Sequence, residues 1–277
     1  MTISAWLRRG LTGLAATIAG IGLLQPAQAA ETVDVELILA VDVSLSMSPD
    51  ELELQRRGYA AALTHPGVIQ AIQQGATGRI AVTYVEWAGQ TWQRIVVPWT
   101  VISSQKDAEA FVEKLTANPP NSARRTSISS ALLYAGDLFA EGEFRGARRV
   151  VDVSGDGANN QGPPVDMVRD AVVAQGVTIN GLPLMTSGGT PSMFDIDHLD
   201  LYYTNCVIGG PGAFMIPVND WSQFPEAVRR KLVLELAGTI DDGTTPVVMA
   251  AADEAKAYDC QVGERMWHDR NWIWDGK

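Results

Sequence analysis

Apolar and polar positions alternate in blocks along the chain. Residues 35–41, Val-Glu-Leu-Ile-Leu-Ala-Val, are almost continuously apolar and stop at Asp42, the pattern of a central strand covered on both faces. A helix follows, announced by Ser48 as N-cap, Pro49 at the first helical position and Glu51 completing a capping box. Residues 79–87 and 91–99 are β-rich runs separated by Ala88-Gly89-Gln90, which predicts an antiparallel hairpin at a sheet edge. Ser104 and Asp107 open a helix whose Ala108, Phe111, Val112 and Leu115 form one stripe, and Asn118-Pro119-Pro120-Asn121 ends it.

A polar loop, 122–126, precedes an apolar helix over 127–140. Residues 148–153 predict a strand that runs into Ser154-Gly155-Asp156-Gly157. A helix over 163–175 is stopped by Gly176, and a strand over 177–184 follows. Residues 199–203 are too short to assign, 213–218 read as a last strand and 220–237 as a capped amphipathic helix. Residues 238–277 show no clear periodicity and read as a tail tied back by Cys260. Strands alternating with helices predict an α/β fold: a doubly wound, mostly parallel, Rossmann-like sheet with one antiparallel edge strand and helices on both faces.

The first residues change the picture of where this fold works. Arg8 and Arg9, an apolar run over 11–24, Pro26 and Ala27-Gln28-Ala29 have the order of a secretory signal peptide cut after Ala29. The apolar run is shorter than the ~20 residues of a membrane-crossing helix. An uncleaved anchor is the alternative, and the paired arginines make only a weak twin-arginine export signal. The expected organisation is a signal peptide over 1–29, one domain over 30–237 and a packed tail over 238–277, in a periplasmic or secreted protein without a transmembrane segment in the mature chain.

With 32 acidic against 21 basic residues the chain carries a net charge of -11 at pH 7. Such a field repels nucleic acid and anionic lipid, and favours cations or basic partners. Cys206 and Cys260 are the only cysteines. Export favours a disulfide between them, worth about 4 kcal/mol for a loop of this length in the chain-entropy view. Two free thiols or a metal site are the rival readings, and neither cysteine belongs to a C-x-x-C pair.

Three segments place oxygen-bearing residues at strand ends or helix starts: Asp42-Val43-Ser44-Leu45-Ser46, the loop containing Thr126, and the loop containing Asp156. Open α/β folds bind ligands at that edge. Two carboxylates and three hydroxyls make an all-oxygen set suited to a hard cation, Mg2+ first, with Ca2+ or Mn2+ possible.

These residues resemble the metal-ion-dependent adhesion site of von Willebrand factor type A domains, over roughly residues 34–237. The resemblance implies Asp42 and Asp156 as the carboxylates and Ser44, Ser46 and Thr126 as direct or water-mediated ligands. One departure is that Gly155-Asp156-Gly157 stands where the family has Thr-Asp-Gly. The stretches 52–62, 82–89, 126–129 and 151–160 further resemble a family of secreted bacterial type A-like proteins of unestablished function.

Rival chemistries fare worse. A haloacid-dehalogenase phosphatase would need an acid at position 44, which is Ser44. No G-x-S-x-G is present, and only His65, His198 and His268 are available as bases; His65, before Pro66, reads as a helix cap. Gly209-Gly210-Pro211-Gly212 lacks the Lys of a phosphate loop and reads as a turn. Glu86 reads as a solvent-facing strand position, whereas Asp152 is open between a supporting role at the site and none. Trp267, Trp272 and Trp274 read as packed on the domain surface.

The resulting expectation is a metal-dependent binding module whose cation bridges to an acidic residue of a protein partner. The alternative is a metal-dependent enzyme, or an accessory subunit of one, in which the same cation polarises substrate or activates water.

Overall fold

The computed structural model describes residues 30–142, 144–186, 196–237, 248–249 and 258–275. The expected signal peptide, residues 1–29, lies outside them, as do the packing of Trp272 and Trp274 and most of residues 238–257.

The chain runs β1 (Glu31–Asp42), α1 (Pro49–Leu63), α2 (Pro66–Gln73), β2 (Ile80–Trp87), β3 (Gln93–Ile102), α3 (Gln105–Thr116), α4 (Ile128–Ala140), β4 (Phe144–Gly155), α5 (Val165–Val173), β5 (Val177–Pro183), α6 (Leu199–Tyr202), β6 (Phe214–Met215), α7 (Phe224–Ala237), β7 (Val248–Met249) and α8 (Val262–Asp275). The sheet order is β3-β2-β1-β4-β5-β6-β7. Strands β2, β1, β4, β5 and β6 are parallel, and β3 pairs antiparallel with β2, as the hairpin predicts. A short antiparallel pairing of β7 with β6 finishes the other edge.

Strand β1 shows why its sequence is apolar throughout. Leu37, Leu39 and Val41 face the layer containing α1, α2, α3 and α7, while Ile38 and Ala40 face the layer containing α4, α5 and α6. A residue such as Leu39, fully buried, contributes about 1.5–3 kcal/mol by leaving water. The capping box at the start of α1 is present in both directions, with the Ser48 hydroxyl accepting from the Glu51 amide and the Glu51 carboxylate accepting from the Ser48 amide.

Several expectations are corrected. α2 was not foreseen; His65 caps it, its Nδ1 accepting from the Gly67 amide. β4 begins at Phe144 rather than 148, and the strand expected over 213–218 shortens to two residues. Residues 199–203 form α6 followed by a π-helical turn, Tyr203–Val207. The tail contains α8, whose mixture of aromatic and charged residues carries no clean stripe. Glu86 does not face solvent: β2 is buried from end to end, and Glu86 is ion-paired with Arg56 of α1 and accepts from Asn121 Nδ2 at 2.9 Å. Gly209–Gly212 does form a turn, with positive φ at Gly210 and Gly212.

The Cys206–Cys260 disulfide is formed and joins the π-helical turn to the start of α8. Among the described residues no helix is long and apolar enough to cross a membrane.

Candidate metal centre

The neighbouring strands β1 and β4 are parallel and in register, Val41 beside Ser154, so both emerge at the same edge of the sheet. Asp42 ends the first and Asp156 follows the second. A lone bridge between Ser44 and Ala123, with the Ala123 amide donating to the Val43 carbonyl at 3.0 Å, brings in the loop that leads to Thr126.

Hydrogen bonds join four of the five expected ligands directly. The Ser44 amide donates to Asp42 Oδ1 at 2.7 Å, the Ser44 and Ser46 hydroxyls are 2.9 Å apart, and the Ser46 hydroxyl donates to Asp156 Oδ1 at 2.9 Å. Thr126 is buried and faces the same loop, its Oγ1 lying 4.0 Å from where a Cβ on Gly157 would stand.

Asp42 is completely buried, and its Oδ2 has no hydrogen-bond partner. Burial first, and the Asp156 carboxylate second, hold its carboxyl well above the usual range, partly offset by the Ser44 hydroxyl and the Ser44 and Asp156 amides. A buried carboxylate beside another is costly unless a positive charge compensates. Two acids, one of them with an unpartnered oxygen, and three hydroxyls therefore fit a hard divalent cation. The Gly155 departure also has a physical reason: a Cβ there would stand 2.9 Å from the Tyr203 hydroxyl and 3.0 Å from Asp42 Oδ2.

Residues that the sequence did not single out hold this arrangement. Gln55 of α1 donates to the Asp42 carbonyl at 2.9 Å. Asn160 ties the two outer loops together, its Oδ1 accepting from the Thr126 amide at 3.1 Å and its amide donating to the Thr126 carbonyl at 2.9 Å. Asn159 Oδ1 accepts from the Ser129 amide at 3.0 Å. The available signal was the paired asparagines inside the 151–160 stretch.

Asp152 does not join the ligands. It lies buried under α7, 2.8 Å from Lys231, which also pairs with Glu235.

The fold is that of von Willebrand factor type A domains. The chain is similar to proximal thread matrix protein 1 from the mussel byssus, in a structure with a zinc-occupied MIDAS motif (17% identity, TM-score 0.52, 75% of this chain and 49% of that one). It is also similar to a von Willebrand factor type A protein from Catenulispora acidiphila (15%, 0.50, 74% and 43%). A third likeness is to the pilus adhesin SpaC from Lactobacillus rhamnosus GG (8%, 0.52, 75% and 32%). The chain thus spans about half or less of the length of these structures, and at such identities the likeness is one of fold. A comparison with curated protein sequences gives no match. A family profile does match, over residues 32–240, and by it the chain belongs to DUF1194, a family described as proteins of unknown function.

Proposed function

We propose that this protein is an exported binding module that holds one divalent cation, Mg2+ in the first place, and through it binds an acidic side chain of a protein partner. The observation that carries the reading is the buried, unpartnered Oδ2 of Asp42 beside the Asp156 carboxylate. Asp42 and Asp156, with the hydroxyls of Ser44, Ser46 and Thr126, would hold the cation, which when bound supplies a coordination position that a partner carboxylate fills.

The chain's own residues set the rest. Ser46 spans Ser44 and Asp156, and Asn160 fixes the backbone of Thr126. Leu45, between two of the ligands, is 57% exposed, and Arg124 beside the site is exposed as well. An apolar side chain and a cation next to the site suit an acidic segment of a protein, against the acidic character of the whole chain. No bond-breaking step is part of this proposal: His65 is engaged in capping α2, and no general base is assigned.

Export over residues 1–29, a domain over 30–237 and a tail over 238–277 belong to the same proposal, supported by the leader pattern and the formed disulfide. The mature protein, immobilised in Mg2+, is expected to capture an envelope protein that chelator releases and that Asp42→Ala fails to capture. Capture that persists in chelator and with Asp42→Ala contradicts the reading.

A further inference from the structure

The helix α8 lies beyond residues 32–240, which the family profile covers, yet its described contacts converge on the loops of the metal centre. Gly263 is buried against the Asn159 carbonyl so closely that a Cβ would overlap it. Glu264 accepts from Asn159 Nδ2 at 2.6 Å, and the same Asn159 amide group, through Oδ1, accepts from the Ser129 amide at the start of α4. Three residues on, the Trp267 ring carries the Arg125 guanidinium at 3.1 Å from its centroid. Residues at this spacing lie on one face of a helix, so Glu264 and Trp267 address the Asp156 and Thr126 loops together.

Arg125 makes the second contact informative. It has φ +79°, and only it and His198 take positive φ among the described non-glycine residues. A bulky residue keeps that conformation only where its surroundings over-determine it. Arg125 immediately precedes Thr126, and while its Nη1 is buried without a hydrogen-bond partner, its guanidinium is seated on the Trp267 face. The start of α8 is itself fixed: Cys260 is bonded to Cys206 in the turn that also carries Tyr203, the residue packed beside Gly155 and Asp42.

We infer that α8 is a clamp that presets the metal centre, with Glu264 and Trp267 as positioning residues for the cation. Glu264 acts through Asn159 on the Asp156 loop, and Trp267 acts through Arg125 on Thr126. The inference rests on the cation reading, since what the clamp presets is a ligand set; removing such supporting partners costs about 10–100-fold in metal affinity.

Two measurements on the mature, disulfide-bonded protein test it. In calorimetric titration with Mg2+, Glu264→Ala and Trp267→Ala should each weaken binding by about 10–100-fold. Glu264→Gln, which keeps an acceptor for Asn159, and Trp267→Phe, which keeps an aromatic face, should restore most of it. In chelator, hydrogen exchange should speed up at the Thr126, Ser129 and Asn160 amides of the two alanine variants, with β1 and β4 amides unchanged as proof of folding. Unchanged affinity in the alanine variants, or equal loss with the conservative ones, overturns the clamp. A wild type that takes up no Mg2+ ends the cation reading instead, and unchanged loop exchange in chelator would then overturn the clamp independently.

Discussion

Fully buried on α7, the Lys231 ammonium faces two carboxylates, Asp152 of β4 and Glu235 one helical turn on, with Asn180 Nδ2 donating to Glu235 Oε1 at 2.9 Å. One cation cannot neutralise two anions there. Burial pushes the Asp152 carboxyl up, Lys231 pulls it down, Glu235 pushes it up again, and the outcome lies at about 7 against an ordinary value of 3.8. The folded state therefore holds a proton that the unfolded chain releases. This contribution to stability is complete below the ordinary value and is lost as pH rises through about 7. Urea unfolding in chelator should show wild-type stability falling over that range more steeply than Asp152→Asn; equal slopes would refute the assignment. Spacing and punctuation in the sequence singled out Asp42, Ser44, Ser46 and Asp156, and the structure joins these four by hydrogen bonds. Residue-level reading failed at Glu86, because alternation along β2 cannot reveal that both faces are covered or that Arg56 waits across the core. The role of Asn159 and Asn160 was equally hidden, being a matter of which loops meet.

At the level of elements, the contact that seats α7 is unusually close. Gly58 of α1 lies under the Phe224 ring, where a Cβ would overlap it, and Phe224 is held in turn by Tyr59 at 5.7 Å and Trp221 at 5.4 Å between ring centroids. Two effects oppose in Gly58→Ala. Helix propensity favours Ala by about 1 kcal/mol. Overpacking a ring that cannot withdraw costs about 1–3 kcal/mol. The second should win, so thermal unfolding of Gly58→Ala should begin at lower temperature than wild type; a raised midpoint would show that Phe224 yields. The long elements with clean caps and stripes, α1, α3 and α4, were legible in advance. α2 is only eight residues long and announced only by the pair His65-Pro66, and α8 draws its position from Cys260 and from contacts with distant loops, which no local pattern encodes.

Across the whole molecule, the doubly wound sheet places the ends of β1 and β4 side by side, and the loops after them gather oxygen atoms at one edge. That arrangement could be foreseen from the order of strands and helices, because parallel neighbours must end together. The unpartnered oxygen of buried Asp42 is the open term in this arrangement, and it sets the central claim we propose, that a divalent cation belongs there. A ligand that binds only the folded state stabilises it by RT ln(1 + [L]/Kd), about 2.7 kcal/mol at a hundred times Kd. Thermal melts of the mature protein in Mg2+, Ca2+ and Mn2+ against chelator measure this directly. The account predicts a cation-dependent rise that Asp42→Ala and Asp156→Ala largely abolish and Ser44→Ala reduces less, with all three variants folded in chelator. A wild type whose midpoint is the same in chelator and in millimolar concentrations of all three cations would contradict it.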